Sequence, residues 1–293
     1  MLPCLNWKAR LENPGITNLI YKGYMMLDLI KREKPTLGTS TLLTYSSSKV
    51  IHSNESGLGY LTAMMYLAPN SISGFNVCQF ASPGCTLACL YTSGHGQFEK
   101  TKKARIKRTN VFFLNREQFI KQLIKEILAH IRKAKRMGLI PALRLNATSD
   151  IPWERVRIEY DGQTYTNLME LFPDIVWYDY TAFPYQKRCD LPSNYSLTFS
   201  RKETTNNWEV LDNLNNGRNV AVVMSDLNGK PLAQLPKTYL GYPVVSGDIT
   251  DQRFLDTTPC IIALYPKKDA IKDDSGFVIR IGATNLPRLI AVH

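Results

Sequence analysis

The sequence predicts an α/β protein whose parallel strands form a partial or full (β/α) barrel of the TIM type, carried behind an N-terminal extension. Three observations lead there. Short runs rich in β-branched and aromatic residues alternate with helix-like connections, the pattern of strand–connection–strand units. Several strands have one polar face, whereas a parallel sheet covered on both sides is apolar on both. Polar residues gather at the C-terminal ends of the strands, the rim on which barrel enzymes carry their chemistry.

Residues 1–40 read as a helical arm ("TNLIYKGYMMLDLIKREK") and residues 41–293 as one domain, since no repeat, low-complexity tract or Pro/Gly linker divides them. Ser40 to Val50 reads as β-like, and Ser73 to Cys78 as a strand. The clearest helix is "NREQFIKQLIKEILAHIRKAKRMG". Asn115 and Gln118 fit an N-cap and capping box. Phe119, Leu123, Ile127 and Ile131 recur at i+4, with Ile124 and Leu128 widening the apolar stripe. Gly138 fits the position just past the last turn. Strands then follow at 140–148, 174–182, 195–200, 219–225, 242–248 and 259–266, with a helix over "NNWEVLDNLNNG" closed by Gly217.

Parity along these strands is informative. Leu143 and Leu145 oppose Arg144 and Asn146, while Leu197 and Phe199 oppose Ser196, Thr198 and Ser200. A barrel with a polar site in its lumen accounts for this. An antiparallel sheet with one wet face does so too, but the alternating helices favour the barrel. At the rim stand Asn146, Ser149 and Asp150, then Asp179 and Thr181, then Ser200 and Arg201, then Ser225 and Asp226, then Asp248 and Asp251. Each alone is an ordinary turn residue; their recurrence after five strands marks a site. Asp150, Asp179 and Asp248 are the candidates for proton transfer, and Arg144, Asn146, Ser149, Ser200 and Arg201 for substrate or cofactor binding. Arg144 either clamps a carboxylate or phosphate or neutralises Asp150 or Asp179.

Three of the six cysteines, Cys78, Cys85 and Cys89, fall within twelve residues, with Pro83-Gly84 supplying a turn between them. Structural zinc takes four ligands, often in paired knuckles, and only Cys85 and Cys89 have that spacing. His95, Cys4, Cys189 and Cys260 are the candidates for a fourth ligand. A 4Fe-4S cluster on three thiolates leaves one iron open, as a catalytic centre needs. Buried thiols acting as small hydrophobes are the plain alternative.

The chain carries a net charge of +11, is 44% hydrophobic, and has no apolar run long enough to span a bilayer. A cytoplasmic protein with reduced cysteines, no membrane contact and a polyanionic partner is expected. "KTKKARIKRT" holds six basic residues in ten: Lys100, Lys102, Lys103, Arg105, Lys107 and Arg108. These are the candidate nucleic-acid contacts. Tyr91, Phe98, Phe112 and Phe113 lie close enough in sequence to stack on unpaired bases, unless they pack in the core.

"CQFASPGCTLACL", then "ARIKRT", "RLNATSDIPWE", "YDYT", "TFS" and "GDITDQRFLD" resemble, in order, the blocks of the phage "gene product 88" family. The resemblance spans most of residues 40–265 and implies a bacteriophage or mobile-element origin, with the host cytoplasm as the place of action. More loosely, the cysteine loop, long helix and "LRLNATSD" strand are similar in order to radical S-adenosylmethionine enzymes, whose three-cysteine cluster follows the first strand of a partial barrel. That similarity implies S-adenosylmethionine as a cofactor and an electron donor as a partner. The C-x3-C-x2-C spacing of those enzymes is absent, as is a Gly-Gly-Glu-like stretch after the next strand. The expected function is an iron–sulfur enzyme of this kind acting on a nucleotide or nucleic acid. The alternatives are a zinc-stabilised, non-catalytic phage nucleic-acid-binding protein, and a hydrolase using Asp150, Asp179 and Asp248 with a divalent cation.

Overall fold

The computed structural model describes residues 34–282. The helical arm expected over residues 1–40 therefore lies outside the described residues up to residue 33, and residues 34–42 contain no helix. Strand β1 (Leu43–Thr44) is followed by helix α1 (Ser48–Glu55), strand β2 (Tyr60–Met65) and the short helix α2 (Pro83–Leu87). Helices α3 (Glu99–Leu114) and α4 (Arg116–Met137) then lead into strand β3 (Ile140–Arg144). A small hairpin, β4 (Ile158–Tyr160) and β5 (Gln163–Tyr165), precedes the single turn α5 (Leu168–Leu171). Strands β6 (Val176–Thr181) and β7 (Tyr195–Ser200), helix α6 (Asn207–Asn215) and strand β8 (Val220–Ser225) continue the alternation. Strands β9 (Thr238–Tyr239), β10 (Tyr242–Ser246), β11 (Ile261–Leu264) and β12 (Val278–Arg280) complete it.

Ten strands form one sheet in the order β1-β2-β3-β6-β7-β8-β11-β10-β9, with β12 alongside β8. From β2 to β10 every pairing is parallel. The first six of these parallel strands, β2, β3, β6, β7, β8 and β11, stand in chain order, as in the wall of a (β/α) barrel. The sheet does not close: it ends in the two-residue antiparallel strands β1 and β9. Val223 pairs with both Leu264 of β11 and Val278 of β12. Strand β12 thus takes the flank of β8 that β7 leaves after Ser200.

Helix α4 fits its sequence pattern. Phe119, Leu123 and Ile127 are wholly buried, and Gly138 ends the helix at φ 67°. Each such side chain, taken from water into the core under β2 and β3, contributes about 1.5–3 kcal/mol before entropy is counted. The capping box does not form there. Asn115 has no capping bond; its amide donates to the Pro35 carbonyl, and Gln118 accepts from the Leu37 amide. Both side chains anchor the incoming chain instead. The box does form on α6, where Asn206 and Glu209 bond reciprocally.

Two stretches expected as strands are not. Within Ser40–Val50 only β1 is extended, because Ser47 accepts the Val50 amide and starts α1. Ser73–Cys78 is a turn: Gly74 sits at φ 89°, and Asn76 accepts the Cys78 amide across one residue. The strand that leads to the cysteines is β2.

The parity reading places the core correctly. Leu143, Leu145, Trp177 and Leu197 join the cluster beneath α4, while Phe199, Val220 and Val222 join the one beneath α6. The opposite, more polar face is covered by the chain itself. After β10, residues 248–256 cross it. Asp251 meets Arg144 of β3 at 2.9 Å and Tyr178 of β6 at 3.2 Å, and Phe254 sets its ring edge against Tyr60 and Tyr178. The polar strand face therefore pairs with buried polar groups of the same chain, as burial requires.

Candidate metal centre at the C-terminal rim of the sheet

The 17 residues that follow β2 form the loop before α2, and they cross the C-terminal ends of the parallel strands. The Ala68 amide donates to Thr109 of α3, the Asp150 amide donates to the Val77 carbonyl, and the Cys78 thiol faces the Thr148 carbonyl at 4.0 Å. Ser82 then caps α2 by accepting the Cys85 amide, and Pro83 occupies the first turn, where its missing N–H costs nothing. Cys89 follows Ala88, the residue that caps the end of this short helix.

Cys78, Cys85 and Cys89 all line one cavity of about 160 Å³, together with Asn70, Ile72, Leu87, Tyr91 and Asp269. Burial pushes the Cys78 and Cys85 thiols up to about 12. Burial also raises Cys89, opposed by the Tyr91 amide and the Arg105 guanidinium. As bare thiols these groups are protonated and inert at neutral pH. A bound thiophilic metal deprotonates such thiols outright.

The surroundings fit thiolate chemistry. The Asn70 amide donates to the Cys78 sulfur at 3.3 Å, and the Tyr91 amide donates to that of Cys89. Two buried cations stand close by. Arg105 lies between the rings of Tyr66 and Tyr91 and donates to the Tyr91 carbonyl; its buried Nε has no partner. The Lys202 ammonium neighbours Cys85 and donates to the carbonyls of Phe80 and Ala182. Three soft sulfur donors, two amide donors and two cations suit zinc or an iron–sulfur cluster better than a hard cation. Among the described residues no set of three or more His, Cys, Asp or Glu side chains is drawn into ligating geometry. What the three thiols share is the cavity.

The other expected ligands are elsewhere. His95 is exposed on a short turn beside Phe98, and Cys260 is buried just before β11 in a small cluster with Ala221 and Ile262. Cys189 follows the turn after β6 and is disulfide-bonded, so it is not the reduced thiol expected and offers no ligand to the cavity. Cys4 lies outside the described residues. Asp269 is the acidic side chain on the thiol cavity. Its neighbour Ala270 shares a small buried cluster with Ala88 and Val278, which sets this turn against the cysteine segment.

The rim residues divide into three groups. Asp150 and Asp179 belong to one buried network around Arg188. Asp150 accepts from Arg188 at 2.8 Å and from the Ala182 amide at 2.7 Å. Asp179 accepts from the Asn146 amide at 2.7 Å and from Tyr195 at 3.0 Å. Asn146 and Ser149 brace the same loop, since the Asn146 side chain accepts from Ser149 and from the Ile151 amide. Asp248 is apart from both aspartates, holding the Tyr265 amide and pairing with Lys267 at 3.3 Å. Ser200 ends β7 half-buried, and Arg201 donates to the carbonyls of Gly276 and Phe277. Arg144 neutralises a carboxylate, but chiefly that of Asp251, with Lys49 on the same group and Asp179 at 4.0 Å.

Two of these carboxylates give opposite pH signatures. Burial raises Asp179 from 3.8 to about 7 against the pull of Arg144. Its unfolded form loses a proton near pH 4 while the folded form keeps it, so its stabilising contribution falls as pH rises from about 4 to 7. Burial also works upward on Asp251, but Arg144 and Lys49 outweigh it and hold the group at about 2. That contribution is full above pH 4 and is lost as pH falls toward 2. Asp179→Asn is expected to flatten the stability profile between pH 4 and 7 while leaving the acid limb intact. Urea unfolding across that range reads it; an unchanged slope would show that Asp179 is ionised throughout.

The basic run splits by side. On α3, Lys100, Lys103 and Lys107 are exposed and share one helical face. Lys102 pairs with Glu99 at 2.7 Å. Arg105 turns toward Cys89, and Arg108 turns inward to the Tyr66 carbonyl. Of the nearby aromatics, Phe112 packs against Phe113, Phe119 and Trp153, and Phe113 stacks on Phe75. Tyr91 is buried, and Phe98 is exposed.

The fold and rim define an α/β protein with a mostly parallel open sheet and a cysteine loop at its C-terminal edge. The chain belongs to the gene product 88 family, whose profile matches residues 32–281. That membership agrees with the phage origin implied by the motif blocks. No curated protein and no solved structure matches the chain. Among the described residues no helix is long and apolar enough to cross a membrane.

Three neighbours of the thiol segment escaped the sequence reading: Lys202, Glu203 and Asp269. The first two directly follow Arg201, which the sequence reading did name, so the signal was one step beyond a residue already chosen. Asp269 had none, being brought to the cavity by a turn 180 residues from Cys89 in the chain.

Proposed function

We propose that Cys78, Cys85 and Cys89 carry a 4Fe-4S cluster with one iron open, and that the protein is a radical-S-adenosylmethionine-like enzyme acting on a nucleotide or nucleic acid. The observation that supports this is the convergence of three clustered thiols on one cavity at the C-terminal rim, beside two buried cations. When bound, the cluster would supply an electron and a vacant coordination position, which S-adenosylmethionine would fill. The rest falls to this chain. The amides of Asn70 and Tyr91 orient two sulfurs, and Arg105 and Lys202 offset negative charge. Ile72 and Leu87 give the cavity an apolar mouth. The electron itself would come from a separate donor. Anaerobic reconstitution with iron and sulfide tests this reading: visible absorption that shifts on adding S-adenosylmethionine is expected, and a spectrum blind to it would remove that cofactor.

For the polyanion, the exposed face of Lys100, Lys103 and Lys107 is the proposed contact. Changing all three to glutamate is expected to lower the slope of log affinity against log salt by about 2–3, because each lost phosphate contact accounts for roughly 0.7–0.9. Fluorescence anisotropy with single-stranded and duplex oligonucleotides reads this. Wild-type binding that ignores salt would contradict a phosphate interface.

Asp269 favours a second reading. A carboxylate on the same cavity supplies a fourth ligand for tetrahedral zinc, which would make the centre structural and the protein a nucleic-acid-binding module.

A further inference from the structure

Directly after β7 the chain reads Arg201-Lys202-Glu203, and each side chain grips a segment beside the thiol cavity. Arg201 holds the carbonyls of Gly276 and Phe277. Lys202 holds the Phe80 carbonyl at 3.0 Å and the Ala182 carbonyl at 3.1 Å. Glu203 uses both oxygens on α2, one accepting the Ser82 hydroxyl at 2.5 Å and the other the Gly84 amide at 2.8 Å. Ser82 passes the contact on, because its oxygen accepts the Cys85 amide at 3.2 Å. The fit is close: a Cβ on Gly84 would lie 2.6 Å from the Glu203 carboxylate and 2.4 Å from the Ser275 hydroxyl.

We infer that Glu203, acting through Ser82, is the positioning residue that fixes Cys85 on the rim, with Lys202 holding the same loop at Phe80. A carboxylate suits the task. It accepts two hydrogen bonds at once, and it satisfies amide and hydroxyl groups that a five-residue helix leaves unpaired at its start. Glutamine reverses one end of the relay: its NH2 would compete with the Cys85 amide for the Ser82 oxygen, and the Ser82 hydroxyl proton would lose its acceptor. The inference rests on the proposed metal reading for what the thiols hold, but not for where they are held.

The test keeps those two apart. The full-length protein, reduced and freed of metal by a chelator, is labelled with a maleimide, and modification is followed residue by residue by mass spectrometry. Glu203→Gln is expected to speed labelling of Cys85 about tenfold or more, the equivalent of losing one charge-assisted hydrogen bond, with Cys260 unchanged. Glu203→Asp is expected to restore part of the protection. An unchanged Cys85 rate in Glu203→Gln overturns the inference. If that variant lacks a cooperative unfolding transition, Ser82→Ala replaces it: faster Cys85 labelling supports the relay, and an unchanged rate overturns it. Iron or zinc content of the same variants is a separate readout. Wild-type protein that binds no metal would sink the proposed function while the labelling result still stands.

Discussion

Replacing Cys85 with serine is expected to abolish binding of the metal while leaving the sheet folded. Cys85 sits on a five-residue helix outside the two main hydrophobic clusters, so losing its sulfur removes little packing. A half-buried cysteine-to-serine change of this kind costs stability by about 1 kcal/mol. The effect on ligation is far larger. Two thiolates remain, and a hydroxyl is a poor ligand for a soft iron–sulfur centre. Iron content should fall from about four per chain to near zero, and any spectral response to S-adenosylmethionine should vanish with it. The unfolding midpoint should move little. Unchanged metal content in Cys85→Ser would mean that this thiol is not a ligand.

Arg188→Met is expected to have the largest effect on stability. Arg188 is fully buried and binds three acidic or polar walls at once. Its guanidinium takes Glu154 through two bonds of 2.8 Å, Asp150 at 2.8 Å and Tyr195 at 2.9 Å. Methionine fills the volume but strands two carboxylates. Removing one partner of a buried ion pair costs about 3–5 kcal/mol, a large share of a typical domain's net stability. Lysine should rescue little, because a single ammonium cannot reproduce the forked contact. Urea unfolding reads the loss; a change below about 1 kcal/mol would mean the carboxylates take up protons instead.

How much of this was legible in the sequence depends on how far apart the partners lie. Helix α4 was readable from its own periodicity, and the side preferences of Leu143, Leu197 and Phe199 from strand parity. Both signals are local. The covering of the polar face was not readable, because Arg144 finds Asp251 at a separation of 107 residues. The Glu203–Ser82 relay spans 121 residues. Turn chemistry overrode propensity in two places. Ser47 started a helix inside a run rich in Ser and Thr, and Asn76 with Gly74 bent a run expected to be a strand. Asn115 shows the reverse: a correct helix boundary whose side chain is used by a distant segment. In the site, the cysteines were visible as a cluster, but their cations were not. Lys202 carried no motif, and Arg105 looked like one more surface charge among six until the helix turned it toward Cys89.

The central claim is that three thiols on the rim of this sheet hold an inorganic centre with one position open. Metal analysis and a visible absorption spectrum of full-length protein, purified without oxygen, test it most directly. The account predicts brown protein with about four irons and matching sulfide per chain. Colourless protein with about one zinc per chain, or with no metal at all, would contradict it.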